Sequence, residues 1–370
     1  MEWKSRLNTG RKLLKGGAIK LQSSQVVMKR FEWCFDMEVR VADNEKVWND
    51  IVAISPQATA FHQYEWLKTM EKYTGFKFYP LIAFEGEEPV GLFPLFFYKK
   101  LLLKSAFSPP PRTATSYLGS IDVERENLRL SQREHASLEF QKSVDCFINE
   151  SLKANYVYFS APPGINDPRI FEWLGYEVKP AYGYVTELKN GFETVLEKIT
   201  TKRIRKENRR GLKRGIVVRE GGKKELEVIY DLMLDRYENQ DKSVSVSKKY
   251  LLDLFDKFNL RIFVAEYEEE IVTGTVCVDF KNRFLSWIGF PKPRIKLSPS
   301  PNDLLILEEI KYACENGYNY YEIMGAAGDK RLHRYYSKFN FDIIVRFYAK
   351  RTSMLSSLVE KVYLKMKGKR

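Results

Sequence analysis

Hydrophobic and polar residues alternate in the same way in two distant stretches of the chain. Residues 78–98 (FYPLIAFEGEEPVGLFPLFFY) and 260–280 (LRIFVAEYEEEIVTGTVCVDF) each contain two apolar runs separated by an acidic turn. Short runs rich in β-branched and aromatic residues predict strands, and two such runs around a polar turn predict an antiparallel hairpin. The second strand of each hairpin contains a glycine, Gly91 or Gly274. The chain is therefore predicted to contain the same hairpin twice.

Two segments that follow the first hairpin return after the second one. NYVYFSAP from Asn155 returns as NYYEIMGA from Asn319, and FEWLGYEV from Phe171 returns as YSKFNFDI from Tyr336. A repeat of this length corresponds to a whole domain and is too long for the unit of a solenoid. We therefore predict two tandem copies of one domain within the 370 residues.

Helical periodicity precedes and follows the predicted hairpins. Apolar residues recur at spacings of three and four after His62 and again after Lys224, which predicts helices with one buried face. Each half then reads helix, helix, hairpin with a further strand, helix, strand, and a last strand or two. This order predicts an α+β fold, with a mixed, mainly antiparallel sheet and helices on both faces of it in each domain. The predicted segments are a flexible basic arm at 1–34, an N-terminal domain at 35–183, a C-terminal domain at 184–352 and a basic amphipathic tail at 353–370.

Local signals mark the ends of one helix in the second half. Ser300 is a predicted N-cap, and Pro301 suits the first helical position because an N–H there has no partner within the helix. Asp303 completes a predicted capping box. Gly317 predicts the C-terminal end, because glycine readily adopts the left-handed conformation that closes helices.

Positive charge is concentrated in one segment of the second half. The chain has a formal net charge of +13, and residues 198–224 contain twelve Lys or Arg and two Glu. If Thr200 or Thr201 caps a helix here, cations form one face and Ile204, Asn208 and Leu212 lie on another. Such a face can neutralise phosphates, whereas its cations repel one another when no anion is bound. We predict an anionic, phosphate-bearing substrate, with a solvated basic helix as the alternative; the predicted binding residues are Arg203, Lys206, Arg209, Arg210 and Lys213.

Other features limit the class of protein. No apolar run approaches the roughly 18 residues that span a bilayer, and the N-terminal segment does not read as a signal peptide. The four cysteines (Cys34, Cys146, Cys277 and Cys314) are far apart and form no metal-binding pattern with histidine. We therefore expect a cytoplasmic protein with reduced thiols and no metal.

The C-terminal tail has an amphipathic pattern. Leu355, Leu358, Val359, Val362 and Met366 alternate with Lys361, Lys365, Lys367 and Lys369. This pattern suits a helix on an anionic membrane surface, and it suits equally a helix that packs on the protein's own body. Peripheral contact with the inner face of a membrane is therefore one expectation.

The order of these elements resembles that of a known family. The layout of each half is similar to the GNAT acyltransferase fold, and the tandem arrangement resembles the Fem family of peptidoglycan-bridge aminoacyltransferases and its lipid II glycyltransferase-like relatives. The resemblance covers roughly residues 35–350. It is carried by the basic helix TKRIRKENRRGLKRGIVVRE, the segment LSPSPNDLLILEEIKYACENGYNYYEIMG and the closing YYSKFNF. The resemblance implies transfer of an aminoacyl or acyl group to an amine.

The segment before the predicted helix at Pro301 argues against an ordinary coenzyme A site. Acetyl-CoA enzymes of this fold bind pyrophosphate on successive backbone amides at a helix N-terminus. Here Pro299 and Pro301 have no N–H, and Asp303 adds a negative charge. The first half has three consecutive prolines, 109–111, at the corresponding point. We therefore predict aminoacyl-tRNA as the donor and no permanently bound cofactor, with acyl-CoA as the alternative donor.

Transfer to an amine requires a neutral nucleophile, a proton acceptor and a group that stabilises the developing oxyanion. Lys338 matches the lysine of the family's closing motif, and the resemblance implies that it stabilises charge at the reacting carbonyl or phosphate. Glu322 is predicted to orient or deprotonate the amine, Tyr335 to donate a hydrogen bond, and His333 to titrate near neutrality. Structural roles are the alternatives for all four. Asn302 and Gly325 complete the predicted substrate-binding set.

Three hypotheses follow. The first is a Fem-like transferase that acts on a cell-envelope or sugar-linked precursor, with tRNA or a diphosphate-linked sugar or lipid as its anionic substrate. The second is an acetyl-CoA-dependent N-acyltransferase of the same fold. The third is a non-catalytic protein that binds RNA or a membrane through the basic helix. The sequence does not determine the oligomeric state.

Overall fold

The computed structural model describes residues 37–42, 44–123, 128–240, 243–324, 329–354 and 356–357. The predicted basic arm at 1–34 and the tail from 358 onward lie outside the described residues. From residue 35 onward the chain forms one compact unit. No helix among the described residues is both long and apolar enough to cross a bilayer.

Within these residues, 13 strands belong to one sheet. Across the sheet the strands lie in the order β1-β2-β3-β4-β6-β13-β7-β12-β11-β10-β9-β8, and the short strand β5 pairs with β3 outside this order. The strands are β1 (Met37–Val41), β2 (Lys77–Glu85), β3 (Glu88–Lys100), β4 (Leu103–Ser108), β5 (Ile121–Asp122), β6 (Tyr156–Ser160), β7 (Glu177–Glu187), β8 (Val217–Gly221), β9 (Leu260–Tyr267), β10 (Glu270–Phe280), β11 (Arg283–Gly289), β12 (Tyr320–Ile323) and β13 (Asp342–Thr352).

Helices connect the strands, and the predicted order lacked the strands at 37–41 and 217–221 and the short helices at 169–173 and 330–336. The α-helices are α1 (Glu45–Ile54), α2 (Tyr64–Thr74), α3 (Leu130–Cys146), α4 (Arg169–Trp173), α5 (Gly191–Ile199), α6 (Lys202–Lys213), α7 (Lys223–Glu238), α8 (Lys248–Lys257), α9 (Pro301–Glu315) and α10 (Lys330–Tyr336). A 3-10 turn (Ala60–His62) precedes α2, and a π-helical turn (Phe147–Ser151) follows α3.

The two halves share one order of elements. Strands β1–β4 and β6 correspond to β8–β12, and α1–α4 correspond to α7–α10. In each half one pair of strands is parallel, β4 with β6 and β11 with β12, and most other pairs are antiparallel. The predicted α+β fold, with a mixed, mainly antiparallel sheet and helices on both of its faces, is confirmed. Helices α5 and α6 belong to the second half and have no counterpart among the described residues of the first.

The halves exchange their last strands. β13 follows β12 in the chain but pairs with β6 of the first half, with Thr352 opposite Tyr156. β7 follows β6 but pairs with β12 of the second half, with Glu187 opposite Tyr320. The two exchanged strands pair with each other at the centre of the sheet. The exchange joins the halves by backbone hydrogen bonds, so the sheet has no break at the predicted domain limits. The limits at 183 and 352 therefore stay a prediction.

Three apolar cores stabilise the sheet. One core covers a whole face and includes α1, α2, α7 and α8, so it joins the halves. In this core the ring of Trp66 lies 4.8 Å from that of Phe258 and 5.3 Å from that of Trp287. On the other face, α3 and α4 cover the strands of the first half, whereas α5, α9 and α10 cover those of the second.

The hairpin glycines face opposite sides of the sheet, although the sequence repeat pairs them. A Cβ on Gly91 would lie 2.7 Å from Cε1 of Phe140 in α3, and one on Gly274 would lie 2.5 Å from Cγ1 of Ile229 in α7. Each glycine therefore allows a helix to approach its strand closely. The two glycines do not occupy matching positions, because Gly91 lies three residues after the start of its strand at Glu88, whereas Gly274 lies four residues after the start of its strand at Glu270.

Candidate active site in the C-terminal half

The basic segment forms helix α6, and Thr201 caps it. The Thr201 hydroxyl accepts a hydrogen bond from the Ile204 N–H at 3.3 Å, which satisfies a donor that the helix cannot satisfy itself. The predicted cap at Thr200 or Thr201 is confirmed. The helix ends at Lys213.

Helix α6 packs on the loop that leads into α9. A Cβ on Gly211 would lie 2.7 Å from Cγ of Pro299, so only glycine permits this approach. Arg214 fixes the end of the helix, because its Nη1 donates to the Ser298 carbonyl at 2.8 Å. The side that packs inward contains Asn208 and Gly211, while Leu212 is exposed.

Four cations of α6 face solvent. Lys206, Arg209, Arg210 and Lys213 are all exposed, and none of them forms an ion pair with another residue that the structure describes. The side chain of Arg203 lies outside the described residues. Unpaired cations at spacings of three and four destabilise a helix by repulsion, so a bound polyanion would stabilise α6.

The start of α9 lies beside α6. Ser300 is the N-cap residue and Pro301 occupies the first turn, as predicted. The predicted capping box is wrong, because the Ser300 side chain makes no capping hydrogen bond. The carboxylate of Asp303 instead accepts hydrogen bonds from Tyr335 Oη at 2.7 Å and from Lys338 Nζ.

Lys338 lies half-buried in this group. Its ammonium nitrogen is 3.9 Å from the centre of the Tyr335 ring, and the side chain keeps 29% of its surface exposed. Burial lowers the pKa of Lys338, while the negative charges of Asp303 and Glu207 oppose this shift. The ammonium is thus partly stripped of water and is held by one carboxylate and by the rings of Tyr335 and Phe339, so its charge acts strongly on a nearby group.

His333 contacts a different residue. Its Nδ1 lies 2.9 Å from Tyr184 Oη, and the Tyr184 ring packs against Tyr336 at 5.4 Å between ring centres. His333 is exposed. The structure therefore brings Lys338 and Tyr335 together with Asp303, whereas His333 borders β7.

Glu322 is fully buried on the other face of the sheet. Arg283 Nη1 lies 3.5 Å from its Oε2, and Arg346 and Tyr117 complete its surroundings. Burial raises the pKa of Glu322, and the charges of Arg346 and Arg283 oppose the shift. Since Tyr117 belongs to the first half, this group lies where the halves meet. The role of Glu322 toward an amine stays a prediction that its burial does not favour.

The other predicted binding residues are placed as follows. Asn302 is buried, and its Oδ1 lies 2.7 Å from Thr273 Oγ1, so its amide is directed toward the core. Gly325 lies outside the described residues. No group of three or more His, Cys, Asp or Glu residues suited to a metal occurs in the described ranges.

Comparisons with known proteins agree with this geometry. A family model of the GNAT acetyltransferase domain matches residues 199–335, which include α6 and α9. The chain has the tandem GNAT fold. No curated protein sequence matches it significantly.

Solved structures share the fold at low sequence identity. The crystal structure of FemX has a TM-score of 0.61 and 14% identity, with 84% of this chain and 96% of FemX covered. The C-terminal domain of a putative lysylphosphatidylglycerol synthetase from Agrobacterium fabrum has a TM-score of 0.54 and 13% identity, with 85% and 94% covered. The predicted resemblance to Fem-like, tandem GNAT proteins is confirmed at the level of the fold.

The start of α9 fits the coenzyme A of a GNAT enzyme poorly. Pro299 and Pro301 offer no N–H, and the N–H of Asp303 already donates to the Ser300 carbonyl at 2.9 Å. The Asp303 carboxylate lies in the first turn, where a pyrophosphate would need positive charge. The backbone amides that hold pyrophosphate in this fold are therefore largely missing or engaged here.

Two acidic residues of α9, Asp303 and Glu309, have roles that the sequence pattern does not predict. Asp303 was expected to act as a cap and instead holds Lys338. Glu309, also on α9, is fully buried and accepts a hydrogen bond from Tyr321 Oη at 2.6 Å. Burial raises the pKa of Glu309 to about 7. The signal for Glu309 was an acidic residue within the apolar pattern of α9.

Proposed function

We propose that this protein transfers an aminoacyl or acyl group to an amine of a phosphate-bearing cell-envelope or sugar-linked precursor. One observation carries the proposal. The ammonium of Lys338, held by Asp303 and Tyr335, lies at the start of α9, on which the basic helix α6 also packs. A group that stabilises an oxyanion and a surface that binds phosphate thus adjoin one another.

The chemistry assigns a role to each part. The amine nitrogen of the acceptor attacks the carbonyl carbon of the donor ester, and a C–N bond forms. The ammonium of Lys338 stabilises the negative charge that develops on the carbonyl oxygen. The C–O bond to the donor then breaks, and the proton lost by the amine passes to the departing oxygen. Asp303 and Tyr335 position Lys338 and take no part in the bond changes.

The exposed cations of α6 are assigned to the phosphates of the substrate. Four exposed side chains (Lys206, Arg209, Arg210 and Lys213) contribute a free energy of binding that falls steeply as the salt concentration rises. Aminoacyl-tRNA is the donor that we favour, because at the start of α9 Pro299 and Pro301 have no N–H to offer coenzyme A and the N–H of Asp303 is engaged. One neighbour in fold is named a putative lysylphosphatidylglycerol synthetase, and this name is consistent with aminoacyl transfer.

Thermal shift separates this proposal from an acetyl-CoA-dependent transferase of the same fold. Ligands that bind the folded state raise the melting temperature. We expect tRNA or a diphosphate-linked sugar to stabilise the protein and micromolar coenzyme A to have no effect. Stabilisation by coenzyme A alone would favour the acetyl-CoA enzyme.

A third alternative is a non-catalytic protein that binds RNA through α6. Lys338→Met tests it, because methionine keeps the length and apolar stem of the side chain and removes the charge. Loss of transfer with unchanged RNA binding supports the enzyme. If no transfer is detected with any aminoacyl-tRNA and RNA binding falls steeply with salt, the non-catalytic protein is the better explanation.

A further inference from the structure

The tip of the hairpin between β3 and β4 exposes two leucines. Leu101 has 87% of its surface exposed and Leu102 has 73%. Leu101 also adopts a positive φ of 51°. This left-handed conformation is unfavourable for leucine. It suits glycine or asparagine, which are the usual residues of such turns. The folding of the described residues therefore does not explain why two leucines occupy this turn.

Lysines surround the two leucines. Lys99 and Lys100 precede them, Lys104 follows, and Lys153 lies exposed two residues before Asn155, which contacts the hairpin. Lys99 is directly opposite Lys104 in the strand register. Like charges in this arrangement repel, and none of the four lysines forms an ion pair with another residue in the described part of the chain. A negatively charged surface would remove the repulsion.

Asn155 fixes the chain after β13 next to this hairpin. Its Nδ2 donates to the Leu102 carbonyl at 2.6 Å, and its Oδ1 accepts from the Lys104 N–H at 3.0 Å. Its own carbonyl accepts from the Ser353 N–H at 2.9 Å and from Ser356 Oγ at 2.5 Å. The next side chain after Ser353, that of Met354, is 96% exposed. Met354 is therefore a third exposed apolar residue, and it directly follows Ser353, which contacts Asn155.

The sequence beyond Ser357 continues the same chemistry. Residues 358–370 contain apolar residues and five cations, Lys361, Lys365, Lys367, Lys369 and Arg370, against one acid, Glu360. The described residues that precede it lie close to the hairpin, because Asn155 contacts both Ser356 and Leu102. Apolar side chains within a ring of cations are the composition that binds the interface of an anionic bilayer.

We propose that the β3–β4 hairpin tip, together with Met354, docks this protein on an anionic lipid bilayer. Leu101 and Leu102 enter the interfacial region, and Lys99, Lys100, Lys104 and Lys153 contact lipid phosphates. This docking does not depend on the proposed acyl transfer, since it uses no residue of the α6 and α9 site. It can therefore be measured without donor or acceptor.

Vesicle sedimentation of the full chain tests the docking. The vesicles contain phosphatidylcholine alone or a mixture with phosphatidylglycerol, and the native protein is expected to bind the mixture. Leu101→Ser with Leu102→Ser should lower the partition coefficient by about tenfold or more, since two leucines lose their burial in lipid. Lys99→Gln with Lys104→Gln should lower it by about tenfold for the anionic mixture only, and less at high salt.

Leu130→Ser is the matched control, because Leu130 is an equally exposed leucine at the start of α3. It should leave vesicle binding unchanged. Because Leu101 and Leu102 are exposed, the leucine variant should have the melting temperature of the native protein. Measuring an unchanged melting temperature would exclude misfolding as the cause of weaker vesicle binding.

Four results would overturn the proposal. In the first, the native protein does not bind anionic vesicles. In the second, the leucine pair can be replaced without effect while truncation after Ser357 abolishes binding. In the third, the leucine variant alters sedimentation without lipid, and in the fourth, the lysine variant alters RNA binding in place of vesicle binding. The surface would then serve a second copy of the chain or an RNA.

Discussion

The two halves of the molecule have the same layout and different chemistry at corresponding places. In the repeat, FEWLGYEV of the first half aligns with YSKFNFDI of the second, which pairs Trp173 with Lys338. Lys338 is held by Asp303 of a neighbouring helix, whereas Trp173 is 60% exposed and stacks with Arg169 at 5.5 Å. The fold therefore tolerates either residue, and only the second half uses this position to hold a charge near a helix N-terminus.

A second difference concerns buried carboxyl groups on corresponding helices. Asp145 of α3 is bonded to Arg351 Nη1 at 2.6 Å and to Tyr176, so a cation compensates its charge. Glu309 of α9 accepts a hydrogen bond from Tyr321 Oη, and its Oε1 has no hydrogen-bond partner among the described residues. Burial raises the pKa of both carboxyls, and only for Asp145 does an arginine oppose the shift. The first half uses its buried acid as a structural ion pair, while the second keeps one that protonates near neutrality.

The largest expected effect sharpens the first difference. Lys338→Ala should lower kcat/KM for amine acylation by about 10²–10³, because it removes the charge at the developing oxyanion. Trp173→Ala at the corresponding position of the first half should leave kcat/KM nearly unchanged. Steady-state kinetics of both variants measure the contrast. Equal losses in the two variants would contradict a single working site in the second half.

Breaking the ion pair of the first half should cost stability. Arg351→Met leaves Asp145 buried beside Tyr176 without its cation, and we expect a loss of about 3 kcal/mol in the free energy of unfolding. Arg169→Met is the control, since its ion pair with Asp167 is exposed and screened by water, so its loss should be much smaller. Denaturant unfolding compares the two. A loss no larger than that of the control would show that Asp145 is protonated in the native protein.

The buried acid of the second half should make stability depend on pH. The pKa of Glu309 is about 7 in the folded state against an ordinary value of 4.5, so the folded state binds the extra proton between these limits. Stability from this group is therefore present below pH 4.5 and is lost as pH rises to about 7, by up to about 3 kcal/mol. Glu309→Gln should remove this loss. If native protein and variant show the same pH profile, Glu309 is not the titrating group.

The smallest expected effect concerns the charged helix that only the second half possesses. Lys206→Gln with Arg210→Gln should raise KM for the phosphate-bearing substrate by about tenfold and reduce the slope of log K against log salt by about 2. The matched double change at Lys99 and Lys104, on the first half, should leave KM unaltered. KM measured over a range of salt concentrations distinguishes the two double variants. An unchanged salt slope for the α6 variant would contradict the proposal that α6 binds the phosphates of the substrate.

Short-range patterns in the sequence determined much of this fold. Apolar periodicity predicted the hairpins and the helices, Thr201 and Pro301 marked helix starts, and the charge of residues 198–224 marked α6. These features depend on neighbours within about four residues, so the local sequence contains the physics that decides them. The donor and the acceptor stay predictions, because no short-range pattern encodes them.

Only the tertiary structure decided which groups meet. The exchange of β7 and β13, the ion pair of Asp303 with Lys338, the burial of Glu322 between the halves and the opposite faces of Gly91 and Gly274 all join segments that are distant in sequence or depend on strand register. A carboxylate takes whichever donor the packed chain brings within hydrogen-bond distance, and a shift of one residue in register turns a side chain to the other face. The sequence by itself therefore determined the elements and the charged surface, while long-range packing decided which charges are exposed, paired or buried.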